Sequence, residues 1–152
     1  RLLQTHRDPL AIVSSLASML SVMRSAYSAD IDQHVIAREW LAECASALDA
    51  SVAARHAGVL APGQVLDMPF RTFMTDPAAA LRGLYAHFGM DFDERFATAI
   101  ATYIRENPAG GSSGHRHRFE DTGLDPAASR QAVWAYQQYF GVPSEIATDA
   151  AG

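Results

Sequence analysis

Only two stretches of this 152-residue chain read as β-strand, and each runs directly into a helix. The first is the more informative. Leu2-Leu3-Gln4-Thr5-His6-Arg7 is an extended stretch, and Asp8-Pro9 follows at once. Asp is a strong N-cap, and Pro suits the first helical position, where a missing N–H costs nothing. The pattern predicts a strand that ends on an arginine and turns into a helix at Pro9. An arginine beside a helix N-terminus is suited to gripping a phosphate, because its fork and the helix dipole both favour an anion there. The second strand, Val65-Leu66-Asp67-Met68, follows the turn residues Pro62-Gly63. Two strands cannot make an independently stable sheet flanked by the five helices this sequence predicts. The expectation is an α/β protein whose remaining strands lie upstream. The opening on Arg1, with no initiator Met, agrees with a piece of something larger.

Apolar periodicity and cap residues place the helices. The first is predicted from Pro9 to about Tyr27, with Ile12, Leu16, Met19, Leu20 and Met23 as its apolar face. Ser14, Ser18, Ser21 and Ser25 form a second, small-residue stripe that lets a neighbour approach closely. Asp30 or Asp32 caps a long helix to about His56, with Ile36, Trp40, Cys44, Leu48 and Val52 on one side and Gly58 beyond its end. Asp76-Pro77 opens a third helix, with Leu81, Leu84, Tyr85 and Phe88 inward and Gly89 as terminator. Asp91 or Asp93 starts a fourth, to about Asn107, with Phe96, Ile100, Tyr103 and Ile104 inward. Pro108 to Gly114 is too rich in Gly, Ser and Pro for regular structure, and it leads to the cationic cluster His115-Arg116-His117-Arg118. A last helix is predicted from Pro126 to Phe140, carrying Val133, Trp134 and Phe140. Residues 1–143 are expected to form one domain portion and 144–152 a flexible tail.

Composition narrows the function classes. Apolar residues make up 49% and charged residues 19%, as in a globular chain with a real core. The net charge of −5 argues against a nucleic-acid-binding surface. All 12 basic residues are arginine, so a catalytic lysine must lie outside this chain. The single cysteine, Cys44, leaves no internal disulfide and no cysteine-cluster metal site; it falls on an apolar stripe and reads as a small core residue. His34, His56 and His87 lack ligand spacing, so no metal site is expected. No apolar run approaches the roughly 20 residues that span a bilayer. A cytoplasmic protein is the expectation.

Arg7 and Ser15 are eight residues apart. With a helix starting at Pro9, Ser15 lies roughly 9 Å along the axis, at 1.5 Å per residue. An arginine folds back over that distance, so both side chains suit one phosphate, Arg7 by charge-assisted contacts and Ser15 by a neutral hydroxyl. The same residues also suit a plainer arrangement, with Arg7 paired to Asp8 or another nearby carboxylate and Ser15 packed as a small residue. His6 points to the strand face opposite Arg7 and reads as a strand-end or core histidine. The cationic cluster likewise suits either a solvated basic loop or a helix-capping segment that meets Glu120 and Asp121.

Thr5-His6-Arg7-Asp8-Pro9-Leu10-Ala11-Ile12-Val13-Ser14-Ser15 resembles the 3′-phosphate-binding segment of sulfotransferases that use 3′-phosphoadenosine-5′-phosphosulfate. Phe70-Arg71-Thr72-Phe73-Met74-Thr75-Asp76-Pro77, continuing through Leu81, Leu84, Tyr85, Phe88 and Gly89, is similar to that family's next strand, loop and helix. Gly114 to Leu124 resembles the basic, glycine-flanked loop that closes over the nucleotide in the bacterial branch. The resemblance implies a P-loop-like α/β sulfotransferase fold, here a mostly helical C-terminal portion with about two short parallel strands. It implies transfer of a sulfuryl group to an acceptor hydroxyl or amine by in-line displacement. The acceptor would be a small molecule, a carbohydrate or a lipid. Arg7, Ser15, Gly114, Arg116 and Arg118 are the nucleotide-binding residues it implies.

The family's phosphosulfate-binding strand–loop–helix is absent from this sequence, and its usual base would also lie upstream. The chain alone is therefore expected to be inactive. A helical interaction module that docks a partner on the serine stripe or on Met19 and Met23 is the alternative from another class. A P-loop kinase or other nucleotide-dependent transferase is the enzymatic one.

Overall fold

The structure, a computed structural model, describes residues 1–107 and 118–147. Along the chain it contains β1 (Leu2–His6), α1 (Pro9–Ser25), α2 (Gln33–His56), β2 (Val65–Pro69), α3 (Phe70–Thr75), α4 (Pro77–His87), α5 (Glu94–Glu106), a 3-10 turn (Phe119–Thr122), α6 (Pro126–Ala132) and α7 (Trp134–Phe140). The described residues gather into two compact units. One holds Arg1–His6 and residues 60–107; the other holds Arg7–Val59 and residues 118–147.

In the first unit β1 and β2 pair in parallel, Leu2 opposite Val65 and His6 opposite Pro69. The proline closes the ladder where its missing N–H does no harm. His6 is buried, as its strand-end reading predicted, and its Nε2 lies 2.8 Å from Asp67 Oδ1. α4 starts on the Asp76 cap, whose carboxylate accepts from Ala79 N at 2.9 Å. α5 starts the same way on Asp93, which accepts from Phe96 N at 2.7 Å. Met68, Ala80 and Ile100 are buried apolar residues of this unit, and the rings of Tyr85, Phe92 and Phe96 meet one another edge to face or tilted. α3 is an addition: the stretch before Asp76 makes a helix of its own where a loop was expected.

The second unit is helical. Asp32 caps α2 by accepting from His34 N and Val35 N. The hydrogen bonds of these two amides, the first cause being Val35, hold its carboxyl below the usual range. α1 and α2 pack together through Ala17 and Leu20 of α1 and Ile36, Ala37 and Trp40 of α2, and Ser14 and Ser18 of α1 are buried as well. Ala17, Ile36 and Ala37 form one core cluster; Leu10, Phe119 and Val133 form a second, with Leu41, Leu48, Leu124 and Ile146 against it.

The expected face of α1 is only partly inward: Leu16 and Leu20 are half-buried, Leu20 against the Ala17–Ile36–Ala37 cluster, and the fully buried apolar residues are Leu10, Val13 and Ala17. Ile12, Met19 and Met23, assigned to its apolar face, are 38%, 47% and 57% exposed. Close helix approach needs small side chains at the contact, and alanine supplies them better than methionine does. Similarly, Tyr103 and Ile104 of α5 are exposed rather than inward.

The predicted last helix is two. Val133 leaves the helical region at φ −112° and ψ 9°, and its N–H bonds back only three residues, to Arg130 O. The break lets Val133, Tyr136 and Gln137 all turn inward while Trp134 stays half exposed. Gly123 ends the 3-10 turn at φ +66°, and a Cβ there would meet His34 Nδ1 at 2.8 Å, so both backbone and space demand glycine. Cys44 is half-buried on α2, and burial, with the neighbouring Glu43, pushes its thiol up.

Candidate functional site

The chain turns from β1 into α1 at Arg7 and Asp8, and these neighbours end in two very different arginine–carboxylate pairs. Asp8 is buried, and Leu10 N donates to its Oδ1 at 3.0 Å in the predicted N-cap bond. Sequence reasoning stopped at that cap. In the structure Arg130 also grips both oxygens, Nη1 to Oδ1 at 2.6 Å and Nη2 to Oδ2 at 3.1 Å. Glu145 N and Ile146 N complete the shell, donating to Oδ2 at 2.6 and 3.1 Å. Burial alone would push this carboxyl up; the bonds from Arg130, Glu145, Leu10 and Ile146 outweigh it and hold it below 3.8.

The Arg130 guanidinium is shared further. Its Nη1 donates to Gln137 Oε1 at 2.8 Å and its Nη2 to Ile146 O at 3.0 Å. Gln137 Nε2 in turn donates to Val142 O. Among the described residues no buried side-chain nitrogen or oxygen lacks a partner. Residues 144–147, expected to begin a flexible tail, are therefore fastened at Glu145 and Ile146. Two backbone amides and one carbonyl there are bonded to a buried ion pair.

That fastening shapes a cavity of about 360 Å³ lined by Arg7, Ala11, Ser14, Arg118, Phe119, Glu120 and residues 145–147. Two guanidinium groups face it from opposite ends of the unit's sequence. Arg7 takes the plainer arrangement and pairs with a nearby carboxylate, that of Glu145, with Nε 3.0 and 3.2 Å from its two oxygens and Nη2 2.8 Å from Oε2. Hydrogen bonding to Glu145 is the main cause that raises the Arg7 guanidinium above its ordinary value, against partial burial. Arg118 is more exposed and turns to Asp121, Nη2 to Oδ1 at 3.3 Å, while its backbone N–H reaches the same carboxylate. This is the capping arrangement that the residues suited when read without any resemblance.

Of the five expected nucleotide-binding residues, Arg7 and Arg118 are brought to one cavity. Ser15 is half-buried on α1 beside Ser14, and it is Ser14, one turn on from Ala11, that lines the cavity. Gly114 and Arg116 lie outside the described residues. Glu145 was missed entirely. It stands 138 residues from Arg7 in a stretch without periodicity, and no local pattern marks it.

The other unit has a larger cavity, about 690 Å³, lined by apolar residues of α3, α4 and α5 such as Phe73, Leu81 and Ile100. It offers no charged group. Thr75 and Asn107, its small polar residues, bond to carbonyls of their own helices. Of these two cavities, both lined by described residues, the Arg7 cavity is the one with cationic groups to meet an anion. Among the described residues no group of three or more His, Cys, Asp or Glu is placed to hold a metal, and no helix is long and apolar enough to cross a membrane.

Residues 1–94, from β1 to the start of α5, match the profile of the sulfotransferase family. The chain belongs to that family. Among solved structures it is similar to sulfotransferase STF9 from Mycobacterium avium, with a TM-score of 0.81 at 20% identity. That likeness covers 95% of this chain and 37% of the STF9 chain, so this chain spans little more than a third of the length of its structural relative. It establishes a sulfotransferase fold, with the two parallel strands and the helices that follow them. No curated protein sequence matches the chain.

Proposed function

We propose that this chain supplies the 3′-phosphate-binding side of an enzyme that transfers a sulfuryl group from 3′-phosphoadenosine-5′-phosphosulfate to an acceptor hydroxyl or amine. The observation that carries the reading is Arg7. It leaves a parallel strand immediately before a capped helix and presents its guanidinium to a cavity that Arg118 shares. Family membership and fold support the same reading. The donor would bring the activated sulfuryl group. The residues of this chain would hold its nucleotide end.

Each part has a physical task. The fork of Arg7 matches a phosphate as well as a carboxylate, and both are acceptor-only anions. Arg118 adds a second positive charge to the cavity lining. The hydroxyl of Ser15 adds a neutral donor from the first turns of α1, whose dipole favours an anion. Gly114 and Arg116 belong to the same proposed nucleotide grip by the resemblance of their loop. The base and the phosphosulfate-binding loop would come from outside this chain. A cytoplasmic location goes with this reading and accords with a single cysteine, Cys44.

Calorimetry with two nucleotides tests the assignment. The protein should bind 3′-phosphoadenosine-5′-phosphate more tightly than adenosine 5′-phosphate, which lacks only the 3′-phosphate. Arg7→Ala should weaken the first by about tenfold or more, as loss of a charge-assisted contact does, and leave the second nearly unchanged. A variant that keeps the full preference for the 3′-phosphate removes Arg7 from the site.

A further inference from the structure

In the structure the proposed phosphate-binding arginine already holds an anion. Glu145 meets Arg7 along the Nε–Nη2 edge at 2.8 to 3.2 Å, the geometry a phosphate would take on the same guanidinium. We propose that Glu145 is a built-in competitor for that seat, which a bound phosphate must displace. The inference rests on the reading of Arg7 given above.

Three observations converge on it. First, the Glu145 carboxylate lines the same cavity as Arg7, Ser14 and Arg118, so an anion entering there meets it directly. Second, the backbone and the side chain of Glu145 are held by different partners. Its N–H is fixed to buried Asp8 at 2.6 Å, while its carboxylate is 41% exposed and its partner Arg7 35% exposed. The side chain is therefore free to rotate into water without disturbing the Asp8–Arg130 pair. Third, the pair is weak enough to be exchanged: exposed ion pairs contribute little, because water and salt screen both members. Leaving Glu145 in place beside a bound phosphate would put two anions against each other with only one fork between them, which is repulsive at any dielectric. Arg118 shows the same arrangement in looser form, with Asp121 at 3.3 Å, so both cavity cations rest on carboxylates.

The consequence is an affinity set below what the cations alone would give, which favours release of a spent nucleotide. Glu145→Gln keeps the backbone N–H to Asp8 and removes the competing charge. Calorimetric titration of 3′-phosphoadenosine-5′-phosphate, at fixed ionic strength, should show Glu145→Gln binding about fivefold more tightly than the parent, the size expected when an exposed pair no longer competes. In an Arg7→Ala background the same substitution should gain clearly less, because the seat it vacates is gone and only direct repulsion is relieved. Glu145→Asp, one methylene shorter, should fall between. Equal or weaker binding by Glu145→Gln, with its melting temperature unchanged, overturns the proposal and makes Glu145 a residue that positions Arg7. That failure differs from failure of the underlying reading, which shows as full affinity in Arg7→Ala alone. Absence of binding in every form overturns both.

Discussion

Arg7 and Asp8 are neighbours in sequence, and each pairs with an oppositely charged residue more than 120 positions away. The two pairs have similar lengths, 2.8 Å for Arg7–Glu145 and 2.6 Å for Asp8–Arg130. Their surroundings separate them. Asp8 has no side-chain exposure and Arg130 has 10%, whereas Arg7 and Glu145 keep 35% and 41%. The buried pair has traded water for a full set of protein partners, so neither member can leave without stranding the other. The exposed pair has traded little, and water or another anion replaces either member readily. Distance does not distinguish the two pairs here; access does. The buried pair sets the backbone of residues 145–146, and that backbone aims the exposed carboxylate at Arg7.

Breaking the buried pair should have the largest effect. Arg130→Met leaves an unpaired buried carboxylate and should destabilise the unit by about 3–5 kcal/mol, read from urea unfolding. Arg7→Met, which breaks the exposed pair, should cost no more than about 1 kcal/mol in the same measurement. Equal losses would mean that exposure is a poor guide to the role of these arginines. Acid sharpens the contrast. The Asp8 carboxyl lies below 3.8 in the folded protein, so its contribution is whole above that value. It is lost as the pH falls from about 3.8 through the lower folded value. Acid unfolding followed by circular dichroism should therefore steepen in that window, and Arg130→Met should flatten it.

Much of this fold was legible because its signals are local. Asp8-Pro9, Asp76-Pro77 and the Asp32 and Asp93 caps each announce a helix by chemistry within a single turn, and all four cap as their residue types suggest. The two strands were legible as well, each bounded by turn or cap residues. The buried side of α1 was not. The inward stripe runs through Leu10, Val13, Ala17 and half-buried Leu20 with Ser14 and Ser18 beside it, about a third of a turn from the predicted one, so Met19 and Met23 stayed out. The candidate site was half legible. Arg7 stands beside a visible cap, and Arg118 sits in a visible cationic cluster. Glu145 and Arg130 come from chain distances of 138 and 122 residues, and no sequence window contains both members of either pair.

The smallest expected effect concerns the two serines that follow. Spacing pointed to Ser15 as the hydroxyl partner of Arg7, while the cavity is lined by Ser14, buried to 1% exposure. Adjacent helix positions differ by about 100° in direction, so one phosphate beside Arg7 cannot be served equally by both in a fixed helix. A neutral hydroxyl contact contributes about 0.5–1.5 kcal/mol, so its loss weakens binding by roughly twofold to tenfold. Ser15→Ala should fall in that range if the bound nucleotide lies along the first turns of α1 as proposed, with Ser14→Ala, at a buried position, costing stability instead. Titrating 3′-phosphoadenosine-5′-phosphate into both variants, alongside their melting temperatures, separates the two. Unchanged affinity in Ser15→Ala together with weaker binding in Ser14→Ala would move the neutral donor one residue back, to the serine that lines the 360 Å³ cavity.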